Sequence, residues 1–160
     1  MLFIHIVSAA LYVGPQVFLF AAAVPALRTI DDVEQRMRVT RMVTTRFGWI
    51  GGGALLLLVI TGIFNYDHAR DLGFIDSDDF PRYFFVLQVK LTLVTIVVLL
   101  TLLHGGLLGR RLLKLQETGA SEQEIAATRR WSVIVSATTL TLSVVILLCA
   151  ALLGSDWSKQ

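Results

Sequence analysis

The sequence predicts an all-α integral membrane protein, a bundle of four membrane-crossing helices. Three observations lead there. Hydrophobic residues make up 55% of the 160-residue chain and charged residues only 16%, against about a quarter charged in an ordinary soluble domain. Four long apolar stretches run through the chain, each near the ~20 residues that a helix needs to cross a hydrocarbon core about 30 Å thick. Basic residues gather in two of the three connections, as they do on the cytoplasmic side of membrane proteins. The spans and their connections use up the chain, so one membrane domain over residues 1–160 is expected.

The spans fall at about Leu2 to Leu27, Phe47 to Tyr66, Tyr83 to Leu108 and Trp131 to Gly154. AAAVPA near the end of the first imitates a signal cleavage site. The segment lacks a basic n-region and is too long for a typical h-region, so it reads as a retained helix. Pro15 and Pro25 should bend it, and Pro15 releases a backbone carbonyl that a polar neighbour or water must satisfy. In the second span Gly48 and Gly52, beside Gly51 and Gly53, form a small-xxx-small pair expected at a helix contact. In the fourth, Ser132, Ser136, Thr139 and Ser143 recur on one face, which should turn inward as hydrogen-bonding contact between helices rather than as catalytic groups.

The connection 28–46 carries Arg28, Arg36, Arg38, Arg41 and Arg46, and the connection 109–130 carries Arg110, Arg111, Lys114, Arg129 and Arg130. Both should be cytoplasmic. The connection 67–82 is acidic, with Asp67, Asp71, Asp76, Asp78 and Asp79 against Arg70 and Arg82. It belongs on the outer side of a bacterial inner membrane, together with both termini. Val33, Met37, Met42 and Val43 interleave with arginines, so this segment either lies at the headgroups or extends the second helix. Ser121 followed by Glu124 resembles a capping box, from which a helix should run into the fourth span. Both basic connections read first as solvated holders of topology, ahead of a lipid-specific or partner site. The formal charge of +2 gathers between spans, a pattern of membrane orientation that argues against a nucleic-acid partner and leaves the lipid bilayer as the expected one. A lone Cys149 permits no internal disulfide and no CxxC or CxxCH motif.

Two spans carry an ionisable residue, His5 in the first and Lys90 in the third. A centred charge costs roughly 2.5 to 3.5 kcal/mol on insertion scales, so a retained one points to function. At about 100° per residue, His5, Ser8, Tyr12 and Gln16 form one polar stripe, and Tyr83, Lys90, Thr101 and His104 a second. Lipid solvates neither, so the two stripes should face each other. His5 and Lys90 both lie roughly 5 to 10 Å inside the outer surface at 1.5 Å per residue. Asn65 and Tyr66 end the second helix near that level, and Cys149 has a comparable depth on the fourth, about 80° from the Ser/Thr face. His5, Lys90, Asn65 and Cys149 are therefore expected at one outer-leaflet pocket, with Tyr12 alongside as a cofactor contact. Imidazole and thiolate are ligands for copper, and imidazole alone is an axial ligand for haem b. The alternatives are a Lys90 that snorkels to the headgroups and a His5 that is a hydrogen-bonded core histidine. His104 has no second His at its level. His68 with Asp67 and Asp71 is a weaker candidate for a divalent ion at the outer surface.

Three stretches resemble the copper-resistance D (CopD) type of membrane domain: His5 followed by YVG, then RFGWIGGGALLLLVITGIFN, then YFFVLQVKLTLVTIVVLLTLLHGG. The resemblance covers most of the first three spans and implies copper uptake or tolerance at a bacterial inner membrane. HIVSAALYVG with a Lys in the third helix is similar to the haem-binding protoporphyrinogen oxidase family (HemJ), whose first-helix His and third-helix Lys would map onto His5 and Lys90. The expected function is therefore copper handling or haem holding at the outer-leaflet pocket, with no residue assigned to catalysis. The rivals are an accessory subunit of a larger respiratory or photosynthetic membrane complex and a HemJ-like haem-dependent porphyrinogen oxidase.

Overall fold

The computed structural model describes residues 1–73, 81–118 and 121–155, which form helices and short links. Asp76, Asp78 and Asp79 of the acidic connection lie outside the described residues. Four stretches of continuous helix are long and apolar enough to cross a membrane, as expected: Leu2–Leu27, Val33–Asp71, Pro81–Leu112 and Glu122–Leu153. The chain divides into two compact units, Met1–Gly73 and Phe74–Gln160.

In the first unit α1 (Leu2–Phe18) passes through a π-helical turn (Leu19–Ala23) into α2 (Val24–Leu27), and α3 (Val33–Asp71) returns along α1. Pro15 sits inside α1. Its missing N–H interrupts the i→i−4 ladder just before the π-turn, one of the recognised causes of such an irregularity. Gln16 Nε2 donates to the Tyr12 carbonyl at 3.0 Å in the same stretch. His5 meets Thr61 at one end of the pair and Phe18 meets Phe47 at the other, with ring centroids 6.0 Å apart. The two helices therefore run antiparallel and in register.

The Arg-rich segment does not lie flat at the headgroups but forms the first turns of α3. Asp32 caps this helix, its carboxylate accepting from the N–H groups of Glu34 and Gln35 at 2.8 and 3.2 Å. Nothing between Val33 and Gly48 breaks the helical ladder, and in hydrocarbon the backbone of Gly51, Gly52 and Gly53 has no partner better than its own helix. One expectation fails here. Within the first unit a Cβ built at Gly48, Gly51, Gly52 or Gly53 meets nothing within 4 Å, so these glycines do not form the contact with α1. Ala54 and Thr61 are the buried residues of α3, and Gly62 makes the close approach, its added Cβ standing 3.6 Å from His5 Cε1. The contact forms where a small residue lets the imidazole in.

In the second unit α4 (Pro81–Leu103) continues through a π-turn (His104–Leu108) into α5 (Gly109–Glu117), and α6 (Glu122–Leu153) packs on α4. α6 begins at the expected capping box: Ser121 Oγ accepts from the Glu124 N–H at 3.4 Å and donates to the Glu124 carboxylate at 3.1 Å. Thr139 and Ser143 are buried on α6 and Ser132 and Ser136 half-buried, so the Ser/Thr face does turn inward. Thr139 and Ser143 donate to the carbonyls of Val135 and Thr139, both at 2.8 Å. Those bonds let hydroxyls sit in an apolar contact at little cost. The opposite faces are apolar and open, with Leu56, Ile63, Leu99, Leu102 and Leu148 all more than half exposed. Such surface is stable against lipid and not against water.

Candidate functional site

The polar stripe of α1 is realised. Ser8 and Tyr12 are buried and His5 and Gln16 half-buried. His5 Nδ1 lies 2.8 Å from Thr61 Oγ1. The single hydroxyl proton of Thr61 is already committed to the Leu57 carbonyl at 2.6 Å. With that proton on Leu57, Thr61 accepts from His5, and a neutral ring then carries its proton on Nδ1. That is the arrangement of a metal-ligating histidine, whose second nitrogen donates to a fixed acceptor and so sets tautomer and ring orientation. Asn65 is half-buried one turn beyond Thr61 on α3, which does not end at Asn65 and Tyr66 as expected but runs on to Asp71.

The second stripe faces α6 within its own unit. Lys90 is half-buried, between Val86 and Leu87, which are buried, and Val97, also buried. Cys149, 7% exposed, stands within electrostatic reach of its ammonium. At the other end of the same helix pair, His104 Nδ1 and Ser136 Oγ make a long contact at 3.5 Å. Lys90 with Cys149 and His104 with Ser136 fix the antiparallel register of this pair. Cys149 is buried although it stands off the Ser/Thr face, so the covered surface of α6 is wider than that stripe at this end.

The structure thus brings Lys90 to Cys149 and His5 to Thr61. His5, Tyr12, Asn65 and His68 belong to the first unit and Lys90 and Cys149 to the second. His68 is exposed near the end of α3, where Asp67 and Asp71 both turn to Arg70 at 3.8 Å. Both carboxylates lie at the outer limit of an ion pair with that exposed guanidinium. Among the described residues no three His, Cys, Asp or Glu side chains gather as a metal-ligand group. Any metal at His5 would then take its remaining donors from elsewhere. Thr61 escaped the sequence reading, since a threonine in a span is ordinary and only the fold shows which hydroxyl meets the imidazole. Comparison with protein-family models, with curated proteins and with solved structures finds no match for this chain.

Proposed function

We propose that this chain is a bacterial inner-membrane protein of the CopD-like type that holds a haem, or handles copper, through His5 near the outer leaflet. One observation carries the reading: the His5 Nδ1 contact with Thr61, whose own proton is spent on Leu57. It supports an imidazole whose orientation is fixed through Nδ1, as a ligating ring requires. Between the two ligands, haem asks less of the protein. The porphyrin supplies four nitrogens and needs one axial imidazole, whereas copper held by protein groups needs more donors of its own. Lys90 is the second functional residue that the resemblance to the His/Lys family implies, and its half-buried place beside Cys149 suits a functional cation better than a side chain extended to the headgroups.

The decisive experiment is a visible spectrum with metal analysis of the protein purified in mild detergent. A Soret band or bound copper is expected in the wild type and lost in His5→Ala, with the helix content unchanged. Lys90→Met should perturb the same signal, with the double variant little worse than either single one, as for residues serving one ligand. A silent Lys90→Met would leave His5 as the sole ligand-bearing residue. A colourless, metal-free wild type would end the proposal.

A second reading is favoured by one observation. Within the first unit a Cβ built at Gly48, Gly51, Gly52 or Gly53 meets nothing within 4 Å, although small residues at that spacing are what a neighbouring membrane helix uses for close approach. This supports an accessory subunit of a larger membrane complex. Stoichiometric co-purification with other membrane subunits, lost in Gly52→Leu, would establish it.

A further inference from the structure

Between α5 and α6 lies a half-open hollow of about 230 Å³ lined by Leu108, Arg111, Glu124, Ala127, Thr128 and Trp131. That is several times the ~30 Å³ share of a water molecule. Its lining is layered. Leu108 and Trp131 stand at the edge of the apolar stretch, and the antiparallel register of α4 and α6, continued into α5, sets Arg111 level with Thr128. Glu124 follows one helical turn farther from the apolar stretch. The order from hydrocarbon outward is therefore apolar, cation, anion.

Arg111 and Glu124 line the same cavity, yet among the described residues no ion pair joins them. Glu124 is held in place by the Ser121 hydroxyl, which leaves further acceptor sites on its two oxygens. A slot with a guanidinium inside and a carboxylate outside matches a zwitterion whose phosphate lies nearer the acyl chains than its amine. We infer that this hollow binds the headgroup of a phosphatidylethanolamine lipid, its phosphate on Arg111 and its ammonium on Glu124, with the glycerol end against Leu108 and Trp131. Arg meets phosphate through a two-pronged, charge-assisted contact. The selectivity follows from the carboxylate. A choline headgroup has no N–H to give Glu124, and a purely anionic headgroup is repelled by it. Trp131, 61% exposed, sits where tryptophans commonly lie, at the boundary between hydrocarbon and headgroups.

Trp131 also reports on the site. In a Trp49→Phe, Trp157→Phe background the full chain is reconstituted in phosphatidylcholine vesicles containing a minor fraction of one lipid with brominated acyl chains. Brominated phosphatidylethanolamine should quench Trp131 severalfold more than brominated phosphatidylcholine or phosphatidylglycerol at the same fraction. Arg111→Gln and Glu124→Gln should each abolish the excess, and Arg110→Gln, off the cavity, should retain it. Gln is an accepted capping-box residue, so Glu124→Gln keeps the α6 start intact even if Arg111→Gln were to disturb α5. Equal quenching by ethanolamine and choline lipids, or stronger quenching by the glycerol lipid, overturns the inference. So does an Arg110→Gln as damaging as Arg111→Gln, which would mean diffuse surface charge. Relief of the quenching by soluble phosphoethanolamine at matched concentration would assign the slot to a water-borne ligand and overturn the lipid assignment.

Discussion

Thr61 decides what His5 can do. A histidine in an apolar helix is open to two readings, a core residue or a ligand, and a neutral imidazole serves both. The Leu57 carbonyl settles the direction of the hydrogen bond by claiming the only proton that Thr61 has. Thr61→Val keeps the shape of the side chain and removes the acceptor. If His5 holds the ligand proposed above, that ligand should then bind about 10- to 100-fold more weakly, the range seen when an outer-shell partner of a ligating histidine is lost. Titration of the haem- or metal-stripped protein in detergent measures this, and Thr61→Ser should restore most of the affinity. An unchanged affinity in Thr61→Val would show that His5 Nδ1 has no part in holding the ligand. His5 and Lys90 were legible from the chain because a charged or titratable group stands out in an apolar run. Thr61 was not, for Thr92, Thr95, Thr101 and Thr141 lie in spans just as it does, and only the antiparallel register of α1 and α3 singles it out.

At the scale of elements, α3 shows how far helix length departs from span length. Its 39 residues extend about 58 Å at 1.5 Å per residue, nearly twice the ~30 Å of hydrocarbon they must cross. The surplus carries Arg36, Arg38 and Arg41 at one end and Asp67, His68 and Arg70 at the other. It stays helical through local support: the Asp32 cap, an exposed Glu34–Arg38 pair at 3.5 Å, and the Thr40 and Thr44 hydroxyls donating to carbonyls one turn back. An exposed i,i+4 pair contributes only a few tenths of a kcal/mol, so the cap matters most. Asp32→Ala should cost about 1 kcal/mol locally, and Ser121→Ala a similar amount at α6. Hydrogen exchange should quicken in the first turns of α3 and α6 and stay unchanged over Ala54–Thr61 and Thr139–Ser143. Equal acceleration along the whole helices would mean that the caps govern packing as well. The caps and the Ser/Thr face of α6 could be read from spacing alone. The π-turns could not, since Pro15 and the Gly105–Gly106 pair permit such a turn without requiring it.

For the whole molecule, charge between spans orients the chain. Ten basic residues in the connections 28–46 and 109–130 stand against two in 67–82, a bias from which the first two are expected inside. Single cysteines at Ser77 and Gly119, both outside the described residues, in a Cys149→Ser background, should label from opposite sides of the membrane, with Ser77 outside. Cys149 itself is buried, and its removal clears the background. Labelling of both from one side would contradict four crossings.

The chain alone determined the number of membrane-spanning helices, their approximate limits and the residues too polar for lipid, because hydropathy and backbone self-satisfaction in hydrocarbon are local demands that each segment meets by itself. Which small residue touches which helix was decided only by tertiary structure. The glycines from Gly48 to Gly53 looked like the contact and do not meet α1, while Gly62 admits His5. A small residue permits close approach on any face, and without a hydrophobic drive between helices in lipid the choice falls to side-chain fit and hydrogen bonds across the pair. The same holds for Cys149, which is buried within electrostatic reach of Lys90 although it stands off the Ser/Thr face.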